Sequence, residues 1–275
     1  MFVHGFLRDP GVALAAFGLF GRTFASLRTL EQLLNPLVVV ASYYLALLCV
    51  GGPWGLLYSL LALLGFFPLF YDWRIVPALS TLICLGLFLR RGFRLWVVAA
   101  SILTFATLAT SFDVGLVTLS ASMALIAVRC LGGWTKNRFL LLLYGVPLLC
   151  CILAVMLYFA WVNALAALLS WHWQILQVYR DWNGMPYPFA LDGIIQMRDA
   201  FLSPLASILG IIAVWQGLKR KGWAGIHQFA LLLLVSNLTL FNRGVVSGAV
   251  ESGALATGSH FAPLLLLVLA LYYIN

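Results

Sequence analysis

SWHWQILQVYRDWNGMPYPFALDGIIQMRDAF, residues 170–201, is the only long polar interval in a chain otherwise made of apolar runs and short connections. It carries three tryptophans (Trp171, Trp173, Trp182), two tyrosines (Tyr179, Tyr187), two arginines (Arg180, Arg198) and three aspartates (Asp181, Asp192, Asp199). Pro186 and Pro188 forbid one continuous helix across it. Aromatic rings stack on the C–H faces of sugars, and charged groups fix hydroxyls and phosphate oxygens, so the interval suits a saccharide or a phosphate. The same residues also suit an interfacial segment whose Trp and Tyr rings sit at headgroup depth.

Outward from this interval the chain is apolar in both directions. Of its 275 residues 64% are hydrophobic and 9% charged, and the mean hydropathy is +1.04, whereas a soluble domain carries about 25% charge. The apolar residues come in runs near the length of about 20 that crosses a bilayer, which predicts an all-α, multi-pass transmembrane bundle. Residues 1–33 form a mixed N-terminal segment: Gly11 to Gly21 is apolar but too short to span, Arg22, Arg28 and Glu31 follow it, and a surface-lying helix and then a break are expected. The opening residues, MFVHGFLRDPG, lack the succession of a basic region, an apolar core and a small-residue cleavage site that marks a signal peptide.

Residues 34–275 form the transmembrane domain, with the 170–200 loop as an outer layer. The first run opens at Asn35-Pro36 and continues to Val50, and after the turn Gly51-Gly52-Pro53 a second goes from Trp54 to Tyr71. The third goes from Ile75 to Leu89, the fourth from Leu95 to Ser111 and the fifth from Val114 to Leu131. The sixth begins at Phe139 and is expected to stay helical through Trp161 toward Leu169, carrying the helix beyond the bilayer, with Pro147 as a point of kinking. The seventh is Phe201 to Leu218, the eighth Ile226 to Phe241 and the ninth Ala256 to Ile274, for about nine spans in all. Cys49, Cys84, Cys150 and Cys151 lie inside runs and Cys130 at the end of one, with no Cys/His ligand spacing, as small buried hydrophobes do.

The charges then sort by side. If each run crosses once, the connections after the third, fifth and seventh hold Arg90, Arg91, Arg94, Arg129, Lys136, Arg138, Lys219, Arg220 and Lys221, nine basic residues with no acid. By the positive-inside rule that side is the cytoplasm. The net charge of +8 therefore belongs to the membrane surface and anionic lipid, not to nucleic acid. The other side is assigned the N-terminal segment, the connections after runs two, four, six and eight, and the C-terminus. It holds all eight acids (Asp9, Glu31, Asp72, Asp113, Asp181, Asp192, Asp199, Glu251) and seven arginines (Arg8, Arg22, Arg28, Arg74, Arg180, Arg198, Arg243). Arginine is the bidentate partner for phosphate, and carboxylates serve as bases or as ligands for a divalent cation, so chemistry is expected on this outer face.

Three features together resemble the integral-membrane glycosyltransferases of the GT-C superfamily: the Ser-Phe-Asp-x-Gly element between two spans at Ser111 to Gly115, the aromatic and acidic loop at 170–200, and the late outer segment FNRGVVSGAVESGALATGSHFAP, Phe241 to Pro263, before a Leu-rich final span. That late segment is similar to an Arg-plus-small-residue stretch ending in Ser-Arg-Tyr, here Ser259-His260-Phe261. The resemblance implies a sugar taken from a polyprenyl-phosphate carrier and transferred on the extracytoplasmic face of a bacterial inner (plasma) membrane. The bilayer, the carrier-linked sugar and a membrane protein partner are then the implied partners. It also implies an acidic residue in a first outer loop, for which residues 1–33 offer Asp9 and Glu31.

The catalytic candidates are accordingly Asp113, Asp181 and Asp9, and the substrate-binding candidates Arg180, Trp182, Trp173, Tyr187, Arg243 and His260. Asp113 in a short outer turn is a general base or metal ligand, or else a helix cap, a role aspartate favours. Arg180 clamps a phosphate, Asp181 orients an acceptor hydroxyl and Trp182 stacks on sugar, provided that neighbours about 100° apart on a helix converge. Arg243 and His260 are placed to meet a carrier phosphate, or serve as an internal ion-pair member and a neutral interfacial histidine. A lipid-linked-sugar flippase or transporter and a non-catalytic subunit of a membrane complex are the alternative readings; mid-membrane charges, which an ion-coupled transporter needs, are missing from the sequence.

Overall fold

The computed structural model describes residues 12–66, 73–131, 137–170, 173–174, 194–219, 225–246 and 260–274. Every regular element among them is helical: α1 Val12–Phe20, α2 Phe24–Leu34, α3 Pro36–Val50, α4 Gly52–Leu63, α5 Val76–Arg91, α6 Leu95–Thr110, α7 Phe112–Leu131, α8 Phe139–Trp161, α9 Ile194–Lys219, α10 Gly225–Val246 and α11 Ala262–Ile274. Each apolar run of the sequence gives one helix, from α3 to α11. Five stretches are long and apolar enough to cross a membrane, namely Phe24–Val50, Trp73–Arg91, Phe112–Leu131, Phe139–Trp161 and Phe201–Lys219. α4, α6 and the apolar parts of α10 and α11 are shorter.

The breaks have local causes. Gly92 ends α5 in the left-handed region at φ 73°, its N–H donating to Phe88 C=O at 2.8 Å, and the two arginines of the last turn, Arg90 and Arg91, suit the negative end of the helix dipole. Thr23 caps α2 by accepting the Ser26 N–H at 3.1 Å, while Ser26 Oγ donates back to Phe20 C=O, so α1 folds against α2 as a separate short helix. The break expected between the N-terminal segment and the first span is not there. α2 passes into α3 through Asn35, whose backbone is helical (φ −58°, ψ −39°), because Pro36 falls at a helix start where its missing N–H costs nothing.

The sixth run, conversely, does not stay helical to Leu169. α8 closes at Trp161 with Asn163 at φ 55°, Asn163 N–H donating to Ala160 C=O (3.1 Å) and Ala164 N–H to Phe159 C=O (2.8 Å). This is a Schellman ending with asparagine in the left-handed position, and a short helix over 165–170 follows it.

Contacts between helix ends show that α3 to α11 run alternately up and down. Asn35 meets Trp73 at one end, while Arg94 over the Phe139 ring and Arg129 over the Phe88 ring mark the other. The end of α11 corrects the side assigned to the C-terminus. Tyr272 packs on His227 with ring centroids 4.9 Å apart and Tyr273 Oη donates to Gln216 Oε1 at 2.9 Å, both beside the α9–α10 connection at the basic end. An odd number of alternating helices must leave its two ends on opposite sides, and no charge in the tally changes with this correction.

The distribution of burial is that of a bundle in lipid. α10 sits at the centre against α5, α7, α9 and α11, with His227 to Leu234 buried on every face. α8, the most apolar of the five long stretches, has only 11% of its apolar window buried and presents Leu142, Val146, Leu149, Leu153 and Leu157 outward. Hydroxyl and amide side chains are inside instead: Ser101, Thr104, Thr107, Ser122, Ser203, Ser236 and Asn237 are fully or almost fully buried. Small polar residues between helices and leucine on the outside are what a hydrocarbon solvent selects.

Candidate functional site

At the acidic end, α6 and α7 are joined by a single residue. Ser111 is extended (φ −154°, ψ 101°), donates its N–H to Thr107 C=O at 2.8 Å and accepts the Gly115 N–H at 2.8 Å, so it ends one helix and starts the next. Its hydroxyl donates to Asp113 Oδ1, which places the carboxylate in the first turn of α7, where the helix dipole favours an anion. A Cβ on Gly115 would lie 2.5 Å from Leu108 Cα and 2.7 Å from Leu108 N, so only glycine lets α7 approach α6 this closely. The Ser-Phe-Asp-x-Gly element is thus the recipe for a tight helical hairpin, and it leaves Asp113 half-buried at the rim.

Beside this hairpin lies an apolar cavity of about 230 Å³. Phe105, Leu108 and Phe112 wall it from α6 and α7, Val155 and Met156 from α8, and Leu168 from the short helix that follows the Asn163 turn. The turn at Asn163 therefore shapes the cavity by folding 165–170 back beside α8. Deeper in the bundle Tyr144 of α8 bonds Thr104 Oγ1 at 2.8 Å, and Ser101 Oγ donates to the Tyr144 carbonyl. Both bonds lie within a turn of Pro147, where the missing N–H leaves the Leu143 carbonyl without its helical donor, and they tie α8 to α6 at that weakened point.

Of the other predicted residues, Trp173, Arg243 and His260 fall among those described. Trp173 is 64% exposed. Arg180, Asp181, Trp182, Tyr187 and Asp9 lie outside the described residues. Arg243 does not open a loop but sits in the last turn of α10, which runs on to Val246. α10 packs antiparallel to α7, so Arg243 and Asp113 share one end of a helix pair. His260 is 1% exposed in the turn before α11, its ring edge-on to Phe261 at 4.9 Å. Among the described residues no three His, Cys, Asp or Glu side chains come together as a metal site.

A polar cluster that the sequence pattern did not single out lies in the α9–α10 contact. Asn237 Nδ2 donates to Ser203 C=O at 3.1 Å and to Ser207 Oγ at 2.9 Å, next to Pro204 of α9. The signal for it was an asparagine inside the eighth apolar run, since an amide in hydrocarbon needs a partner on a facing helix. Compared with protein-family models, curated proteins and solved structures, the chain matches none.

Proposed function

We propose that the chain is a nine-span membrane protein of a bacterial plasma membrane that acts on a lipid-linked sugar at its acidic, extracytoplasmic end, as a glycosyltransferase of the GT-C type. The cavity beside the Ser111 hairpin carries this reading: about 230 Å³ walled by apolar side chains, with the half-buried Asp113 carboxylate next to one of its walls. A site without polar lining excludes water and takes hydrocarbon, here an isoprenyl chain of the carrier. Asp113 then serves as the base toward an acceptor hydroxyl. Arg243 holds the carrier phosphate, and Arg180, Asp181, Trp182, Trp173 and Tyr187 of the outer loop hold the sugar. Counting the four shorter helices as crossings gives nine spans and puts every acid outside.

The test is a transfer assay in nanodiscs with a polyprenyl-phosphate sugar donor, paired with a photoreactive isoprenyl phosphate. Wild type should label on α6 or α8 near Leu108 and Met156. Val155→Trp, which fills the cavity from the lipid-facing helix, should lose both labelling and transfer. Labelling and transfer that survive the filled cavity would remove the carrier from this site. The bond from Ser111 to Asp113 favours a second reading, a non-catalytic membrane subunit in which the carboxylate only closes the hairpin.

A further inference from the structure

We infer that the basic end of the bundle holds a phosphate group at Arg129, a site independent of the sugar-handling reading at the opposite end. Arg129 stands in the last turn of α7, and its guanidinium carbon lies 5.7 Å from the centroid of the Phe88 ring of α5. The cation–π contact holds the guanidinium over the ring. Nε is buried, and no acceptor meets it among the described residues. The sequence places no acid at 92–94, 132–138 or 220–224, so none of those three connections at this end offers a carboxylate.

Two further features turn the same place toward an anion. Asn137 Nδ2 donates to Arg129 C=O at 2.8 Å, and Cys130 Sγ donates to Asn137 C=O at 3.5 Å, which pins the start of α8 against the end of α7. α8 begins there with Arg138 at its N-cap, which brings a second cation to the end of α7. The Arg129 guanidinium and the Arg138 charge form the donor set for phosphate oxygens. Arg129 ends a 20-residue span, so the site lies at the depth of lipid headgroups.

The phosphate can belong to an anionic phospholipid of that leaflet or to a soluble compound, and one experiment separates them. The full chain, purified in a neutral detergent, is titrated with phosphatidylglycerol and with phosphatidylcholine, with bound lipid counted by native mass spectrometry, and the phosphatidylglycerol complex is challenged with pyrophosphate. Phosphatidylglycerol should bind in preference to phosphatidylcholine, and Arg129→Gln should weaken it by on the order of tenfold or more. Resistance to pyrophosphate assigns the site to the lipid, and displacement assigns it to soluble phosphates. Arg129→Lys keeps the charge without the fork, and Phe88→Leu removes only the ring beneath it; both should bind several-fold less tightly, which keeps the test open if Arg129→Gln is not recovered folded. Wild-type affinity in these variants, or equal binding of the two lipids by the wild type, overturns the proposal.

Discussion

Asn35 Oδ1 accepts the backbone N–H of Trp73 at 3.0 Å, so the joint between α2 and α3 is tied to the start of α5 across 38 residues. The bond explains why a helix pair with a proline between them stays in line. Asn35→Ala should lower stability by about 1–2 kcal/mol, the cost of stranding a part-buried donor. Asn35→Asp, which keeps the acceptor, should lose less. Thermal unfolding of the three proteins in one detergent measures this, and equal midpoints would show that the joint is held by packing alone.

Glycine content can be tested at two positions with opposite expectations. Gly115→Ala drives a Cβ into the Leu108 backbone and should cost about 1–3 kcal/mol, because neither helix can yield without opening the hairpin. Gly145 on α8 has no neighbour within 4 Å of the place an alanine methyl would take, so Gly145→Ala should be neutral or stabilise by up to about 1 kcal/mol. A destabilised Gly145→Ala would mean that this face of α8 is covered by another chain.

The helices were legible because each apolar run is closed by residues with one local use, such as Gly92 after Arg90-Arg91 or Ser111 before Asp113. The end of α8 was not, since 139–169 is apolar throughout and the left-handed turn at Asn163 is one residue in an unbroken run. Nor could the sequence show which faces are buried. In lipid the outer face is as apolar as the core, so α8 and α10 look alike until the partners of Tyr144 and Asn237 are seen. Of the candidate site, Asp113 was readable as a capping or catalytic carboxylate because the motif around it is short. Arg243 was misplaced because the eighth apolar run ends at Phe241, although α10 continues past it.

Orientation follows from the basic end and from the corrected place of the C-terminus. In a background without the native cysteines, a single cysteine at Arg91, Arg220 or Asn275 should be protected from an impermeant thiol reagent in intact cells, and one at Asn183 should react. Tyr272 on His227 puts Asn275 with the first group. Labelling at Asn275 with protection at Arg91 would break the alternation of the helices, and labelling at Arg91 would invert the bundle.

The two roles of Asp113 separate when Ser111 is varied with it. As a hairpin element, the carboxylate accepts the Ser111 hydroxyl and meets the α7 dipole, so Asp113→Asn and Ser111→Ala should each cost about 0.5–2 kcal/mol. The two losses should also fail to add in the double variant, because the charge lost in Asp113→Asn acts in part through the Ser111 hydroxyl bond that Ser111→Ala has already removed. As a base, the carboxylate has a second duty that Ser111→Ala leaves in place. Asp113→Asn should then reduce sugar transfer by on the order of a hundredfold or more in protein that still folds. Ser111→Ala, equally destabilised, should keep most of its transfer. Equal transfer in the two single variants would leave Asp113 with the hairpin alone and move the chemistry to the outer loop or to another chain.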